Sequence, residues 1–260
     1  MATVSVENIG KNWGEVGNER VEALRNISFV LESNEFLCII GPSGCGKSTL
    51  LNIIGALEKP TEGRISFSDI KDPRKPLTNM VFQEFALFPW KNVVENITLG
   101  LKFKGVASHL REKVAHDLIG VMRLRGFENK YPHELSGGMK QRVAIARALA
   151  NDPEVMLMDE PFGSLDAQTR IVLQDELLRI WEQKRMTVCF VTHNIEEAIL
   201  LGDRICVMTA RPSTVKATIL VELPRPRTPE LRMSAAFTNL YRQVWELLKE
   251  EVDKALYEAS

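Results

Sequence analysis

Short apolar runs bounded by glycine or polar residues alternate along this 260-residue chain with stretches whose apolar positions recur every third or fourth residue. The first kind fits strands and the second fits amphipathic helices, so their alternation predicts an α/β fold with a mainly parallel sheet. The pattern places strands at 36–40, 155–158, 187–191 and 205–208, and helices at 48–57, 108–125, 137–150, 167–183 and 194–200. In helix 108–125 the expected buried stripe is Leu110, Val114, Leu118 and Val121 or Met122. In helix 137–150 it is Met139, Val143, Ala146 and Ala150. The opening third differs: strands at 3–9, 27–31 and 64–67 have no long helices between them, which predicts an antiparallel β element beside the main sheet. Residues 223–229 read as a proline-rich hinge, with Thr228 as a cap and Pro229 in the first turn of a last helix. Leu240, Val244, Leu247, Leu248, Val252 and Leu256 form one apolar face of that helix, expected to pack on its own domain.

Two helix starts look built for anions. Gly41-Pro42-Ser43-Gly44-Cys45-Gly46-Lys47-Ser48-Thr49 follows one predicted strand and opens the next helix, the context that a GxxxxGK[ST] phosphate loop requires. Its glycines free successive amides to face a phosphate, Lys47 suits the β/γ oxygens, and Ser48 suits Mg²⁺. Cys45, beside the phosphates, is expected to be alkylated unless ATP is present. The second start is Leu135-Ser136-Gly137-Gly138-Met139-Lys140-Gln141. Two such sites with one phosphate-loop lysine suggest a nucleotide gripped from both sides by a pair of subunits.

The apolar strand at 155–158 delivers Asp159 and Glu160 at its carboxyl edge, where α/β sheets bind ligands. Taken alone, adjacent acids there fit a solvated loop; beside a phosphate loop, Asp159 suits the metal and Glu160 suits polarising a water. His193 closes the strand at 187–191, and Gln83 follows Met80-Val81-Phe82. Each is an ordinary polar residue until placed beside the phosphates. Charge changes little: 33 Lys and Arg against 34 Asp and Glu give a net of −1, no support for a broad nucleic-acid or anionic-membrane surface. Cys38, Cys189 and Cys206 lie in strand-like runs and read as buried hydrophobes of a reducing compartment. No apolar run reaches membrane-span length and no leader pattern opens the chain, so a cytosolic protein is expected unless a partner brings it to a membrane.

In this order and spacing the motifs resemble the ATP-binding cassette ATPases, over nearly the whole chain. The phosphate loop is residues 41–49, the glutamine loop Gln83, the signature residues 135–141, the acidic strand residues 155–160, the SxLD loop Ser164-Leu165-Asp166, and the switch histidine His193. The resemblance implies a P-loop NTPase with a RecA-like core, an antiparallel β subdomain and a small helical subdomain. Residues 1–82 and 153–222 would form the β subdomain and nucleotide core, 83–152 the helical subdomain, and 223–260 a hinge and helix. It implies catalysis by Glu160, His193, Lys47 and Gln83, and a magnesium ion near Ser48, Gln83 and Asp159. ATP would be held by residues 41–49 and, from a second subunit, by Ser136, Gly137, Gly138 and Gln141. It also implies an adenine-stacking aromatic near the N-terminus. Trp13 matches best; the bland alternative is an aromatic packing on the β element.

The run Gln83-Glu84-Phe85-Ala86-Leu87-Phe88-Pro89-Trp90 is too apolar for a free loop. In importer ATPases this region receives the permease, so Phe85, Phe88 and Trp90 are expected at that partner, although they could instead seal the helical subdomain. Asp166 is expected at the paired subunit. The 88–96 run, Ala210-Arg211-Pro212 and residues 223–227 resemble the nitrate, sulfonate, taurine and bicarbonate importer branch. That likeness implies a peripheral subunit on the cytoplasmic face of the inner membrane. Its partners would be a second cassette, a membrane permease and, indirectly, a periplasmic or lipid-tethered binding protein. The alternatives are an exporter ATPase, a soluble non-transport cassette protein, and a phosphate-loop small-molecule kinase, which would not explain residues 135–141.

Overall fold

The computed structural model of the chain describes residues 1–14, 20–70 and 72–258, with backbone alone at 229 and 256–258. Strands β1 (Thr3–Trp13), β2 (Val21–Leu31) and β4 (Glu62–Ser68) form a three-stranded antiparallel sheet in the order β2-β1-β4. The second sheet has six strands: β3 (Phe36–Ile40), β5 (Thr78–Val81), β6 (Val155–Asp159), β7 (Thr187–Thr192), β8 (Arg204–Met208) and β9 (Val215–Leu220). Their order is β5-β6-β7-β3-β8-β9, parallel except for β9. Among the described residues, no helix is long and apolar enough to cross a membrane.

The central strands are apolar on both faces because both faces are covered. Phe36, Cys38 and Ile40 of β3 point into one core, with Met156, Met158, Val188 and Phe190. Leu37 and Ile39 point into the other, with Val155, Leu157, Cys189 and Val191, under the antiparallel sheet. An aromatic cluster fixes the first core: Phe36 lies 5.9 Å from Trp181 and 5.7 Å from Phe190, whose ring is 5.8 Å from Phe162. Trp181 also donates its indole N–H to the Met186 carbonyl at 2.7 Å, so its one polar atom is satisfied inside.

The helices are α1 (Lys47–Ile54), α2 (Val93–Phe103), α3 (Ser108–Val121), α4 (Gly137–Ala150), α5 (Ala167–Lys184), α6 (Ile195–Leu201) and α7 (Ala235–Glu258). Helix α3 stops four residues before the expected end, because Arg123 takes a left-handed φ of 52° just beyond Met122. Of its expected stripe, Leu118 and Met122 are buried and Val114 packs against the core, while Leu110 and Val121 are exposed and Ala115 and Ile119 complete the buried face. The stripe of α4 is as expected, with Val143, Ala146 and Ala150 buried and Met139 packed beside them. Helix α2, opened by an Asn92–Glu95 capping box, and the strands β5 and β9 add to the expected elements. A buried carboxylate joins the helical region to the core: Glu176 of α5 meets Arg123 at 3.0 Å and Arg142 of α4 at 3.3 Å.

The proline-rich hinge is a clamped strap. Arg227 is buried and donates to the carbonyls of Ile199, Leu200 and Gly202, the open end of α6, while Arg225 pairs with Asp203 and lies over the Trp181 ring. Burial pushes the Arg227 guanidinium down to about 10. Thr228 and Pro229 begin a short 3-10 turn, not the last helix, which starts at Ala235. In α7, Val244 and Leu248 are buried with Leu240 and Leu247 against them; Val252 is exposed, and the Leu256 side chain lies outside the described residues.

Glu251 anchors α7 to the sheet. It accepts from Lys216 of β9 at 2.8 Å, from Lys254 at 3.1 Å and from the Ala210 amide at 3.0 Å. Burial alone would raise this carboxyl, but Lys216, the amide and Lys254 together bring it down from 4.5 to about 2. Because the folded value is depressed, the stabilisation is full above the ordinary carboxylate range and fades as pH falls toward 2. Glu251→Gln should therefore cost about 1–3 kcal/mol at neutral pH. Urea unfolding at a series of pH values should show that deficit shrinking with acid.

Candidate nucleotide site

Four neighbouring parallel strands release their chains at one edge of the sheet. In spatial order β5, β6, β7 and β3 lead to Gln83, to Asp159 and Glu160, to His193, and to residues 41–46. Residues far apart in sequence thus meet at the carboxyl ends of the strands.

The phosphate loop turns into α1 through Gly46, whose φ is 114° and where a Cβ would lie 2.8 Å from the Leu24 side chain. Only glycine fits that turn. Lys47 is buried, and its Nζ donates to the carbonyls of Gly41 at 3.0 Å and Pro42 at 2.9 Å. Ser48 donates its hydroxyl to Asp159 Oδ1 at 3.0 Å. Burial raises the Asp159 carboxyl, opposed by the Ser48 hydrogen bond. Glu160 has a left-handed φ of 41°, and its amide donates to the Val191 carbonyl at 2.9 Å. That strained turn holds Glu160 Oε2 at 2.8 Å from Nδ1 of His193.

Lys47, Ser48 and Glu160 border a cleft of about 410 Å³, whose lining does not include Asp159 or His193. Its lining includes Ser43, Gly44, Gly46, Lys47, Ser48 and Thr49 together with Gln83, Glu160 and Trp13. Trp13 ends β1, is 42% exposed and has Lys11 Nζ 4.3 Å from its ring centroid. Arg211 also lines the cleft, donating through Nε to the Gly44 carbonyl at 3.1 Å. The sequence signalled Arg211 only as part of a motif, with no role.

Cys45 requires a correction. Its side chain is 2% exposed within the second core, and a Cβ on Gly41 would lie 3.0 Å from its Sγ. Only its backbone can serve a phosphate, and the expected alkylation at the cleft does not fit this burial. Gln141 is a second correction: its side chain is wholly buried, and neither amide atom has a hydrogen-bond partner in the described structure. It faces inward from α4, away from any surface.

Ser136, Gly137 and Gly138 start α4, with Ser136 Oγ accepting from the Met139 amide at 3.3 Å. None of them lines the 410 Å³ cleft of their own chain. A Cβ on Gly138 would lie 2.5 Å from Cγ2 of Thr169, so the second glycine also serves close packing against α5. Asp166 caps α5, accepting from the amides of Gln168 at 3.1 Å and Thr169 at 3.0 Å; the Thr169 amide leads the causes that lower its carboxyl.

A separate groove of about 610 Å³ opens beside the cleft, lined by Gln83, Phe85, Leu87, His133, Lys140 and Ser164 among others. Gln83 borders both cavities. Phe88 and Trp90 lie outside the groove wall, paired edge to face at 5.7 Å, with Trp90 70% exposed. Asn96 fixes the loop by accepting from the Phe88 amide at 2.9 Å and donating to the Lys91 carbonyl at 2.9 Å. Arg147 supports it through the carbonyls of Ala86 and Phe85. These two anchors were not among the expected site residues; the capped helix start at Asn92 was the available signal for Asn96.

A family model described as ABC transporter matches residues 24–163. An uncharacterized ABC transporter ATP-binding protein of Methanocaldococcus jannaschii is 49% identical over 255 residues, 97% of this chain and 94% of the relative. An aliphatic sulfonates import ATP-binding protein of Bacillus cereus is 47% identical over 244 residues, 93% of this chain and 94% of the relative. A solved dimeric ATP-binding cassette in a post-hydrolysis state, bound to ADP and Pi, superposes with a TM-score of 0.74 at 37% identity. It covers 85% of this chain and all of that one.

The burial of Cys38, Cys45, Cys189 and Cys206 gives a direct test of the site's packing. A thiol reagent should modify none of the four rapidly in the native protein, with or without ATP, and all of them after denaturation. Rapid nucleotide-sensitive labelling at Cys45 would contradict the observed packing.

Proposed function

The chain belongs to the ABC transporter family, and from that premise we propose that it energises uptake of a small oxyanion, of the aliphatic sulfonate, nitrate or bicarbonate kind. As a family member it binds ATP and is an ATPase coupled to transport. The import reading is supported by the 47% identity to sulfonate import subunits over 93% of the chain. The observation that carries the catalytic reading is Glu160, which lines the cleft with Lys47 and Ser48 and is paired with His193 at 2.8 Å.

Trp13 stacks on the adenine, and the amides of residues 41–49 with Lys47 hold the phosphates. The donor set fits a magnesium ion. Ser48 and Asp159 bring two hard oxygens within 3.0 Å of each other. Ser48, Asp159 and Gln83 would hold it, and the bound ion would supply neutralising charge to the phosphoryl oxygens. Glu160 orients the attacking water and accepts its proton, while His193 fixes the Glu160 carboxylate in place.

Ser136, Gly137 and Gly138 act on the nucleotide of a second cassette. The dimeric neighbour bound to ADP and Pi supports this, as does their absence from the cleft of their own chain. Asp166 couples the paired sites. Phe85, with Phe88 and Trp90 on the adjoining surface, receives a membrane permease at the groove, placing the subunit at the cytoplasmic face of the inner membrane. A substrate-binding protein outside completes the system, and the net charge of −1 gives no support for a nucleic-acid partner.

Two substitutions test the site. Glu160→Gln should retain ATP binding, slow hydrolysis by about a hundredfold or more, and accumulate an ATP-bound dimer by light scattering. Normal turnover would remove Glu160 from its role. Ser136→Arg should abolish turnover while monomeric protein still binds ATP; lost monomer binding would show that the signature acts within its own chain.

A further inference from the structure

Arg211 stands on the phosphate loop with most of its hydrogen-bonding capacity unspent. Its Nε and Nη2 both donate to the Gly44 carbonyl, leaving three of the five guanidinium N–H groups with no protein partner among the described residues. It forms no ion pair with a carboxylate among those residues either. Yet the side chain lines the same cleft as Ser43, Lys47 and Trp13. An arginine held over an anion-binding loop, with no ion-pair partner among the described residues, is complementary to an anion entering that cleft.

The loop that carries Arg211 is built rather than loose. It connects β8 to β9, and the Ser213 hydroxyl and the Thr214 amide bond back to Thr209 at 2.8 and 2.9 Å. It is stitched to β2 by the Ser213 amide on the Ala23 carbonyl at 3.0 Å and the Arg25 amide on the Ser213 carbonyl at 2.9 Å. From the other side, Glu251 of α7 takes the Ala210 amide. Helix α7 holds the residue before Arg211 and strand β2 holds Ser213, two residues after it, so the backbone that carries the guanidinium is fixed on both sides in folding.

We propose that Arg211 is a nucleotide-binding residue that grips the phosphate chain of the bound nucleoside triphosphate beside Lys47, with Glu251 as its positioning residue. The proposal rests on the reading of the cleft as the ATP site. It gives Arg211 two tasks: its donors to Gly44 steady the phosphate loop, and its remaining donors face the ligand.

Equilibrium titration of the full chain with Mg-ATP, at low and high salt, tests it. Arg211→Gln should weaken binding by about tenfold at low salt and flatten the salt dependence, as expected for loss of one charged contact to phosphate. Affinity and salt dependence equal to the parent protein's overturn the proposal. A weaker affinity with unchanged salt dependence also overturns it, since Arg211 would then only support the loop. Should Arg211→Gln not fold, Arg211→Lys keeps the charge but loses the fork; a loss of about threefold or more supports the contact, and unchanged affinity overturns it. Glu251→Gln should weaken ATP binding in the parent but add nothing once Arg211 is Gln; additive losses would return Glu251 to a purely structural role. Lys47→Ala is the separate control: ATP binding undiminished by that change would refute the cleft as the nucleotide site, whatever Arg211 does.

Discussion

Burial of β3, β6 and β7 on both faces is the constraint from which the rest of the molecule follows. Each strand sends alternate side chains into two different cores, so a slip by one residue would exchange every contact on both faces at once. Register is therefore fixed, and with it the level at which each chain leaves the sheet. Side-by-side pairing of Ile40 with Thr192, and of Asp159 with Val191, sets the phosphate loop, the carboxylates and His193 at one height. The proposed chemistry is assembled by backbone hydrogen bonds well below it. Long-range order in the apolar layers is what lets a 2.8 Å contact form between Glu160 and His193, which follow the ends of β6 and β7.

Much of this was legible in the sequence, for identifiable reasons. Residues 36–40 and 155–158 are uninterrupted apolar runs, and a strand buried on both sides has no other way to be written. Gly46 and Lys47 announced a strand-to-helix turn because only glycine tolerates a φ of 114° there. Weaker signals were lost for equally physical reasons. Strand β9 lies at the sheet edge with most of its side chains partly or fully open to solvent, so its pattern lacks a clear apolar side. Helix α3 reads as continuous through Arg125, because a left-handed Arg123 leaves no trace in hydrophobic spacing. Cys45 looked exposed by its place in a glycine loop, but the loop wraps over it and turns its sulfur into the core. Gln141 was placed by resemblance alone, and helix packing turned it inward.

The carboxyl end of the chain is more closely tied to the cleft than a terminal appendage. Arg225 and Arg227 fasten the strap to the end of α6, and Glu251 fastens α7 to the loop preceding Arg211. The proline-rich motif is thereby accounted for by carbonyls it satisfies. A buried guanidinium over three open carbonyls leaves the strap little freedom, and the last helix inherits that fixed starting point.

Gln83 lines two cavities, the cleft of the proposed nucleotide and the groove beside Phe85 and Leu87. Were an occupant of the groove to shift that side chain, the two compartments would be coupled in both directions. Whatever free energy an occupant of the groove contributes to rearranging that amide must reappear, equal in size, as a change in how tightly triphosphate is held. A small apolar compound wedged against Phe85 and Leu87 would then act as an effector of hydrolysis without approaching the phosphates, and nucleotide would in turn tune its grip on that compound.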